Sequence, residues 1–201
     1  LSAYECAREF GGDVMYLKQA DLFGADLTGA NLNGLELDPT TEIEDRWKVV
    51  LEILADGAVK RDLSGMDLSG ACLIEVDFHG AVLCDADLSE TDLSNADLSE
   101  ADLEKADLSN SSLQNANLRN SKLVRASLRN ANLDNADLTG ADLSWADLEG
   151  ACINLKTRID QKWRLNWELS NHRATERNLS GVDQSQTKLS NKDLSFGTWK
   201  I

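Results

Sequence analysis

The chain has few of the residues and motifs on which most enzyme active sites depend. It contains two histidines in 201 residues, His79 and His172, and no nucleophile constellation is evident around either. It has no phosphate-binding glycine loop, no zinc-ligand spacing and no calcium-loop pattern. We therefore expect no enzymatic activity, no catalytic residue, no cofactor and no resident metal. One alternative for a weakly held divalent cation is the series Asp67, Asp87 and Asp107, spaced 20 residues apart.

Long apolar runs are also missing. No stretch approaches the roughly 18 consecutive apolar residues of a membrane-spanning helix, and no cleavable secretory signal is recognisable. We expect no membrane insertion. Because the chain opens on Leu1 rather than Met, removal of a targeting segment stays open. A cytoplasmic location is favoured, with the thylakoid lumen or the periplasm as alternatives if such a segment was removed.

Positive charge is scarce. Lysine and arginine number 20 against 35 aspartates and glutamates, which gives a formal net charge of −15. This charge argues against direct binding to nucleic acid or to anionic membranes, because both are polyanions. It favours a basic protein partner or plain solubility.

What the sequence does have is a repeat of five residues. A large apolar residue recurs at every fifth position from Leu63 to Ile153, nineteen times without interruption. The pattern is usually Ala-Asp-Leu followed by two variable residues, as in 96–100. A period of five fits neither the turn of a helix, about 3.6 residues, nor the two-residue alternation of a strand. Internal repetition is therefore the primary signal in this chain.

The repeat predicts a solenoid in which each pentapeptide turns one corner. The central Leu and the small residue two positions earlier face inward, and the exceptions to Ala at the small position, such as Ser111 and Ser121, are also small. Neighbouring coils lie roughly 4.8 Å apart through backbone hydrogen bonds, so each coil depends on the next. We expect Leu103→Asp to unfold the rod, and Ser99→Asp on its outside to be nearly silent.

With this motif the chain resembles the pentapeptide-repeat proteins, whose consensus is A(D/N)LXX. The resemblance implies an all-β solenoid, a right-handed quadrilateral β-helix with four pentapeptides per coil. It says little about function, because the motif encodes architecture and the members of the family do unrelated things. Some members mimic duplex DNA and bind DNA gyrase, so the resemblance also implies that alternative.

The five-residue repeat appears again at both ends of the chain. An N-terminal run, with Leu17 as its first candidate, continues through Leu22, Leu27, Leu32 and Leu37. A degenerate C-terminal run comprises Leu179, Leu189, Leu194 and Trp199, with Gln184 where Leu is expected. A gap of 26 residues separates each run from the central block, and 26 is not a multiple of five, so the β-helix cannot simply continue through either gap.

These gaps predict the organisation of the chain. We expect six segments: an N-terminal cap or irregular segment at 1–16, an N-terminal pentapeptide coil at 17–39, a helical insert at 40–60, the central β-helix of nineteen pentapeptides at 61–155, a second helical insert at 156–176, and a degenerate C-terminal coil and cap at 177–201.

The two inserts align with each other at an offset of 116 residues, which pairs Thr41 with Thr157 and Trp47 with Trp163. In the first insert Thr41 to Glu44 has the sequence of a capping box, and Gly57 supplies a helix stop. Its predicted apolar stripe comprises Ile43, Trp47, Val50, Leu51 and Leu54. The second insert repeats the plan more weakly with Ile159, Trp163 and Trp167. Paired inserts of this kind are similar to those of cyanobacterial pentapeptide-repeat proteins.

Each helix has two alternative roles. It can lay its Trp-bearing face on the rod and protect edge strands, or Trp163, Trp167 and nearby Arg164 can form a docking surface. The same question arises at the C-terminus. There the set of Phe196, Trp199 and Ile201 either closes the last coil or contacts a second copy, which would give a homodimer through a rod end.

Charge along the rod predicts a second candidate surface. Most acidic residues precede the central Leu, where Asp and Asn side chains can also hydrogen-bond the local backbone. No Asp or Glu occurs from Leu108 to Leu133, yet four cations do, and we call these four the basic girdle: Arg119, Lys122, Arg125 and Arg129. Either these cations pair with carboxylates on adjacent coils, such as Asp102 or Asp142, or they recognise an acidic partner or a second rod offset along its length.

The four cysteines do not suggest a disulfide framework. Cys72 and Cys152 fall on one side of the rod but four coils apart, roughly 19 Å, which is too far for a disulfide. Cys84 lies on the opposite side from Cys72, and only Cys6 is free to find a partner. We expect free thiols, with the oxidation state of Cys6 left open. Taken together, the sequence predicts a non-enzymatic structural or protein-binding module, with an acidic DNA mimic that binds DNA gyrase or another DNA-binding protein as the alternative.

Overall fold

The structure, a computed structural model, describes residues 15–17 and 21–171. Its central part is a right-handed β-helix of square coils. Isolated parallel bridges join residues 20 apart along the whole block, from Asp62 with Val82 to Asn132 with Cys152. A spacing of 20 residues is four pentapeptides per coil, so the predicted quadrilateral β-helix is confirmed.

The interior of the rod is built from the central apolar residues and the small residues two positions before them. Central side chains from Leu68 to Leu148 are 0% to 1% exposed, and nearly all of the small residues are buried. Where a hydroxyl replaces Ala, it bonds to a backbone carbonyl: Ser111 Oγ donates to Leu108 O at 2.7 Å, and Ser121 Oγ to Leu118 O at 2.8 Å. The core therefore tolerates a small polar group because that group is paired.

Each corner is a tight turn that the sequence analysis did not anticipate. In one example the Ala96 N–H donates to Leu93 O at 3.1 Å, and Asn95 between them has φ +60°. A positive φ at the third turn residue favours glycine and asparagine. The second variable position of the repeat carries one of these two residues at most corners of the central block. That enrichment is the sequence signal that would have predicted the turn.

The glycine corners should differ in their tolerance of a side chain. Gly65 has φ +66° with open space where a Cβ atom would lie, so Gly65→Ala carries only the cost of the left-handed backbone, about 1 kcal/mol. Gly150 has φ +76°, and an added Cβ would collide with the Asn130 side chain on the preceding coil. We expect Gly150→Ala to cost about 2 to 3 kcal/mol. Urea unfolding of the two variants measures the difference.

The Asn130→Ala background provides the control for this comparison. With the Asn130 side chain gone, Gly150→Ala should cost about as much as Gly65→Ala. If the excess cost of Gly150→Ala persisted in that background, the contact with Asn130 would not be its cause.

Hydrogen bonds at the outward aspartates confirm the predicted turn chemistry. Asp97 Oδ1 accepts the backbone N–H of Ser99 at 2.9 Å and the Ser99 hydroxyl at 2.6 Å, and the same pairing recurs around the rod. Ser99 Oγ also lies 3.0 Å from His79 Nδ1. This corrects the expectation that Ser99→Asp would be nearly silent, because aspartate at 99 would keep the backbone N–H bond but lose the hydroxyl that bonds Asp97, and would place a second carboxylate against Asp97.

The N-terminal run forms a coil with the same period. Strand β1, Met15–Leu17, pairs in parallel with β2, Leu35–Leu37, and Leu17 lies opposite Leu37. This coil stacks on the central block where the Gly29 N–H donates to Gly70 O at 2.7 Å. A Cβ on Gly70 would lie 2.7 Å from Thr28 Cγ2, so the close approach of the two coils requires glycine there.

The first insert contains helix α1, Asp45–Asp56. It begins four residues after Thr41, with extended Glu44 as its N-cap and no side-chain cap, so the predicted capping box is wrong. Thr41 belongs instead to the segment that continues the coil, since the next residue, Glu42, bridges to Asp21. Gly57 ends the helix as predicted, with φ +73° and its N–H donating to Ile53 O at 2.8 Å.

The buried face of α1 also differs slightly from the predicted stripe. Trp47, Val50 and Ile53 are fully buried, whereas Leu51 and Leu54 are only partly buried. Ile53 was absent from the predicted stripe. The helix begins about one turn later than the capping box implied, and its face toward the rod includes Ile53.

The second insert contains helix α2, Gln161–Asn171, and repeats the first insert. Its first residue lies 116 positions after the start of α1, the offset found in the sequence. The residue three positions before each helix bridges the preceding coil at a spacing of 21 rather than 20: Glu42 with Asp21, and Arg158 with Asp137. The two inserts therefore leave the β-helix by the same one-residue slip.

Several predictions concern residues outside the described part of the chain. These are Cys6, His172, the segment 1–14, the C-terminal run of Leu179, Gln184, Leu189, Leu194 and Trp199, and the aromatic and aliphatic end residues Phe196 and Ile201.

Candidate interaction surface

Three of the four side chains of the basic girdle are paired with carboxylates on the next or preceding coil. Arg119 Nη1 lies 3.1 Å from Asp137 Oδ2, and Lys122 Nζ lies 2.9 Å from Asp102 Oδ2. Arg129 Nη1 contacts two carboxylates, Asp147 at 3.1 Å and Glu149 at 2.8 Å. The coil spacing produces this pairing, because residues about 20 apart share one side of the rod.

Arg125 differs from the other three. Its side chain is exposed at a corner with φ +61°, and within residues 15–17 and 21–171 no carboxylate lies within ion-pair distance of it. Its backbone N–H is fixed by a 2.9 Å bond to Ser144 O on the next coil. The girdle is therefore mostly neutralised, and its uncompensated charge is concentrated at one corner.

The pair of Asp102 and Lys122 makes the girdle sensitive to pH. Partial burial by itself raises the pKa of Asp102, but hydrogen bonds from Lys122, Cys84 and the Glu104 backbone outweigh it, so the pKa lies below the ordinary 3.8. The hydrogen bond and charge of Asp102 raise the pKa of Lys122 above 10.5. A carboxyl group whose pKa is lowered on folding stabilises the fold at pH values above its unfolded pKa. This contribution is lost as the pH falls through the pKa of the folded state.

We therefore expect the coupling between Asp102 and Lys122 to be present at pH 7 and weaker at pH 2.5. A double-mutant cycle of Asp102→Asn and Lys122→Gln, followed by urea unfolding at both pH values, measures it. Asparagine retains an Oδ1 acceptor for the Glu104 N–H, which bonds Asp102 at 3.3 Å, so the cycle isolates the charge. An equal coupling at the two pH values would contradict the assignment.

Helix α2 lies on the last described coil and uses its side chains in place of another coil. In the body of the rod each small inward residue accepts a hydrogen bond from the backbone of the next coil, as Ala81 O does from Asp102 N at 2.9 Å. At the end, Ala141 O accepts from Trp163 Nε1 at 3.0 Å and Ala151 O accepts from Trp167 Nε1 at 2.6 Å. The two indoles thus supply donors that backbone amides supply elsewhere.

Asn171 completes this arrangement. Its Oδ1 accepts the Gly150 N–H at 2.6 Å, and its Nδ2 donates to Leu148 O at 2.9 Å. Polar backbone groups at the end of a parallel β-structure are costly to bury unpaired. The side chains of α2 satisfy them, so this helix covers the edge of the described rod.

The placement of the tryptophans favours the covering role over the docking role. Trp163 is 2% exposed, and Trp167 is partly buried with its indole nitrogen turned to the rod. Arg164 donates to Thr157 O at 2.8 Å within its own insert. Of these three residues, Trp163 presents no open surface, which corrects the interpretation of Trp163 as an exposed docking residue.

Two exposed aromatic residues, Phe23 and Trp145, were missed by sequence reasoning. Trp145 occupies a corner with φ +63° and is 46% exposed. It follows Arg125 by 20 residues, so the two lie on the same corner of adjacent coils. The signal was available in the sequence, because Trp145 stands at a position where most repeats carry asparagine or glycine.

Other chemistry on the rod is limited. Cys72, Cys84 and Cys152 are free, and burial raises the pKa of the Cys72 and Cys84 thiols, which disfavours the reactive thiolate. The residues that the structure describes hold no cluster of three or more potential metal ligands. The aspartate series at 67, 87 and 107 therefore does not form such a cluster. Among those residues, neither helix has the length and apolar character needed to cross a membrane.

Comparison with known proteins is consistent with this architecture. A family model described as pentapeptide repeats matches in eight copies, over 16–38, 62–99, 77–115 and 111–150, which together make up just over half of the chain. No curated protein matches the chain.

Solved structures of repeat proteins are similar to parts of the chain. Rfr23, a pentapeptide-repeat protein of the cyanobacterium Cyanothece 51142, is 38% identical over 47% of this chain, with a TM-score of 0.38. The match covers 65% of Rfr23, so the chain spans just under two thirds of that relative. A pentapeptide-repeat protein of the Arabidopsis thaliana thylakoid lumen is 32% identical over 54% of this chain and 77% of its own, with a TM-score of 0.43. QnrB1, a plasmid-mediated fluoroquinolone resistance protein, is 19% identical over 70% of this chain and 78% of its own, with a TM-score of 0.32.

Proposed function

We propose that this chain, which belongs to the pentapeptide-repeat family, is a non-enzymatic module that binds another protein through the outer surface of its rod. The observation that carries the proposal is the division between core and surface. Leucine and alanine fill most of the interior, and nearly all charged side chains lie outside. Chemistry on such a scaffold is confined to its surface.

The backbone makes that surface rigid. Each central residue donates its N–H to the following coil, as Leu98 does to Asn117 O at 2.7 Å, and the bond recurs around the rod. Outward side chains therefore stand on a backbone with little freedom to move. A preorganised surface loses less conformational entropy on binding than a flexible one, which favours recognition of a partner.

Affinity capture followed by binary binding tests the proposal. The immobilised chain should retain at least one protein from a lysate of its source organism at 0.15 M salt, and the purified pair should then bind in calorimetry. The triple variant Arg119→Gln, Arg125→Gln, Arg129→Gln keeps the core intact, and its binding to each retained protein is compared with that of the wild type. If no retained protein binds directly once purified, the proposal fails. A complex formed by two copies through a rod end would appear instead as a dimer in light scattering.

A second candidate is an acidic DNA mimic that binds DNA gyrase or another DNA-binding protein. The column of Asp67, Asp87 and Asp107 favours it, because bridges hold these carboxylates on adjacent coils of one side. The basic girdle interrupts the acid further along the rod. A gyrase supercoiling assay separates the candidates: inhibition by the purified chain, relieved by added DNA, supports mimicry, and unchanged supercoiling supports the general binding module.

A further inference from the structure

Three residues form a column along one corner of the rod, and we call Lys105, Arg125 and Trp145 the corner column. Lys105 N–H donates to Val124 O at 2.9 Å, and Arg125 N–H donates to Ser144 O at 2.9 Å. The two acceptors, Val124 and Ser144, directly precede Arg125 and Trp145 in the chain. The three backbones are thus fixed on adjacent coils, roughly 4.8 Å apart.

Trp145 has no evident role in folding. A non-glycine residue in the left-handed region costs roughly 1 to 2 kcal/mol of conformational free energy. Asparagine and small polar residues adopt this conformation most often. Every other non-glycine corner with positive φ in the described chain carries Asn, Asp, Glu, Lys or Arg. Trp145 is 46% exposed, so much of its ring is left in water. A bulky, exposed and conformationally unfavourable side chain is typical of a binding residue rather than a structural one.

The two cations of the column are available to a ligand. Arg125 has no carboxylate within ion-pair distance among the residues described, whereas the rest of the basic girdle is paired. Lys105 is exposed, and its Nζ is 3.9 Å from Glu104 Oε1, which is the outer limit of an ion pair. The Arg125 guanidinium is not stacked on the Trp145 ring in the way that Arg46 is stacked on Trp47. Both the cations and the ring face solvent.

We propose that the corner column binds a short acidic segment of a partner protein, which deepens the proposed function and rests on it. Carboxylates of the segment pair with Lys105 and Arg125, and an apolar or aromatic side chain packs on Trp145. Arginine and tryptophan are the residue types most enriched at interaction hot spots. The positively charged and aromatic stretch is about 10 Å long, which is the length of three residues of an extended peptide at about 3.3 Å each.

Charge around the column favours a short peptide over a nucleic acid. Asp85 occupies the same corner one coil before Lys105, and further carboxylates flank the column on both sides. A nucleic acid strand would run beyond the two cations and bring its phosphates against those carboxylates. A segment with two or three carboxylates fits between them.

Selection of peptides on the intact chain tests the proposal. A phage-displayed library of random decapeptides is panned on the wild-type chain at low salt, and the enriched peptides are then synthesised and titrated by fluorescence anisotropy. We expect enriched sequences with at least two carboxylates and a neighbouring aromatic or large apolar residue, and binding that weakens as salt rises. Failure to enrich any peptide, or enrichment of peptides without carboxylates, would overturn the proposal.

Matched variants locate the site. Arg125→Gln and Trp145→Asn should each weaken peptide binding at least about tenfold. Lys156→Gln, which removes one exposed positive charge elsewhere, should leave binding unchanged. Trp145→Asn should melt no lower than the wild type, because asparagine suits the left-handed corner, so unfolding cannot account for a loss of binding. Equal affinity in all three variants, or displacement of the peptide by an equal concentration of a ten-nucleotide thymidine oligomer, would count against the site.

The result also separates this inference from the general proposal. A captured partner protein that binds Trp145→Asn and Arg125→Gln as tightly as the wild type would refute the corner column and leave the binding module standing. Selected acidic peptides that depend on both residues, without any captured protein that binds, would support the corner column as a peptide site and refute the general proposal as the capture experiment tests it.

Discussion

Replacing Leu103 with aspartate should abolish the folded rod. Leu103 is fully buried in the middle of the coil stack, and its N–H donates to Lys122 O at 2.7 Å. Losing the leucine alone costs about 2 to 5 kcal/mol, and burying a carboxylate without a partner adds several more. We expect a total of at least about 5 kcal/mol, which is comparable to the entire stability of many domains.

The damage should spread because the coils depend on one another. Each coil bonds only to its two neighbours, so a broken coil removes the template for both. Circular dichroism should show loss of the β-signal in Leu103→Asp at room temperature, and thermal melts should lack a cooperative transition.

Glu100→Asn is the matched surface control. Glu100 is exposed at a corner with φ +59°, a conformation that asparagine adopts more easily. This variant should melt at or slightly above the wild-type temperature. Similar losses in Glu100→Asn and Leu103→Asp would show that the assignment of inward and outward positions is wrong.

Replacing Trp163 with alanine should release helix α2 from the rod. The side chain is 2% exposed, and truncation of a buried tryptophan costs about 3 to 5 kcal/mol. It also leaves Ala141 O without the indole donor. We expect faster hydrogen exchange throughout α2, together with a lower melting temperature. If the α2 amides of Trp163→Ala stayed as protected as in the wild type, the helix would not depend on this contact.

Two further substitutions divide the Trp163 effect into its parts. Trp163→Phe keeps most of the apolar contact but removes the indole N–H, and should cost about 1 to 2 kcal/mol. Lys162→Ala removes the ammonium that lies 4.2 Å from the Trp163 ring centroid, and should cost less than about 1 kcal/mol because Lys162 is exposed. We expect the loss of stability to be largest for Trp163→Ala, smaller for Trp163→Phe and smallest for Lys162→Ala, in the order of the size of the group that each substitution removes.

The comparison of the two helices explains why their roles required a structure. Trp47 and Trp163 are equivalent at the offset of 116 and are both buried, but only Trp163 has a hydrogen-bond acceptor for its indole. Trp47 Nε1 has no partner within the described residues. Sequence similarity identified the pair, and only the structure showed which of the two indoles has a backbone carbonyl within reach.

Local patterns were predicted least well where a neighbouring coil intervenes. The sequence from Thr41 to Glu44 matches a capping box, but bridging of Glu42 to Asp21 holds these residues in the coil and delays the start of α1. Ser99 looked like a free surface position, but it is bonded to Asp97 and lies against His79. For Thr41 to Glu44 the contact that overrode the local signal comes from the neighbouring coil, and for Ser99 it is the bond to Asp97 together with His79 on the neighbouring coil.

The amino-acid sequence alone determined the period, the inward and outward faces and the two duplicated inserts, and the four-sided coil followed from the family resemblance. It could do so because a strict repeat places the same few residue types in the same surroundings at every corner, so local chemistry and global geometry agree. The tertiary structure decided which cations are neutralised, that α2 covers the edge of the described rod and that Arg125 and Trp145 share one exposed corner. Those features depend on stacking between coils, where hydrogen bonds and burial join residues that no short stretch of sequence brings together.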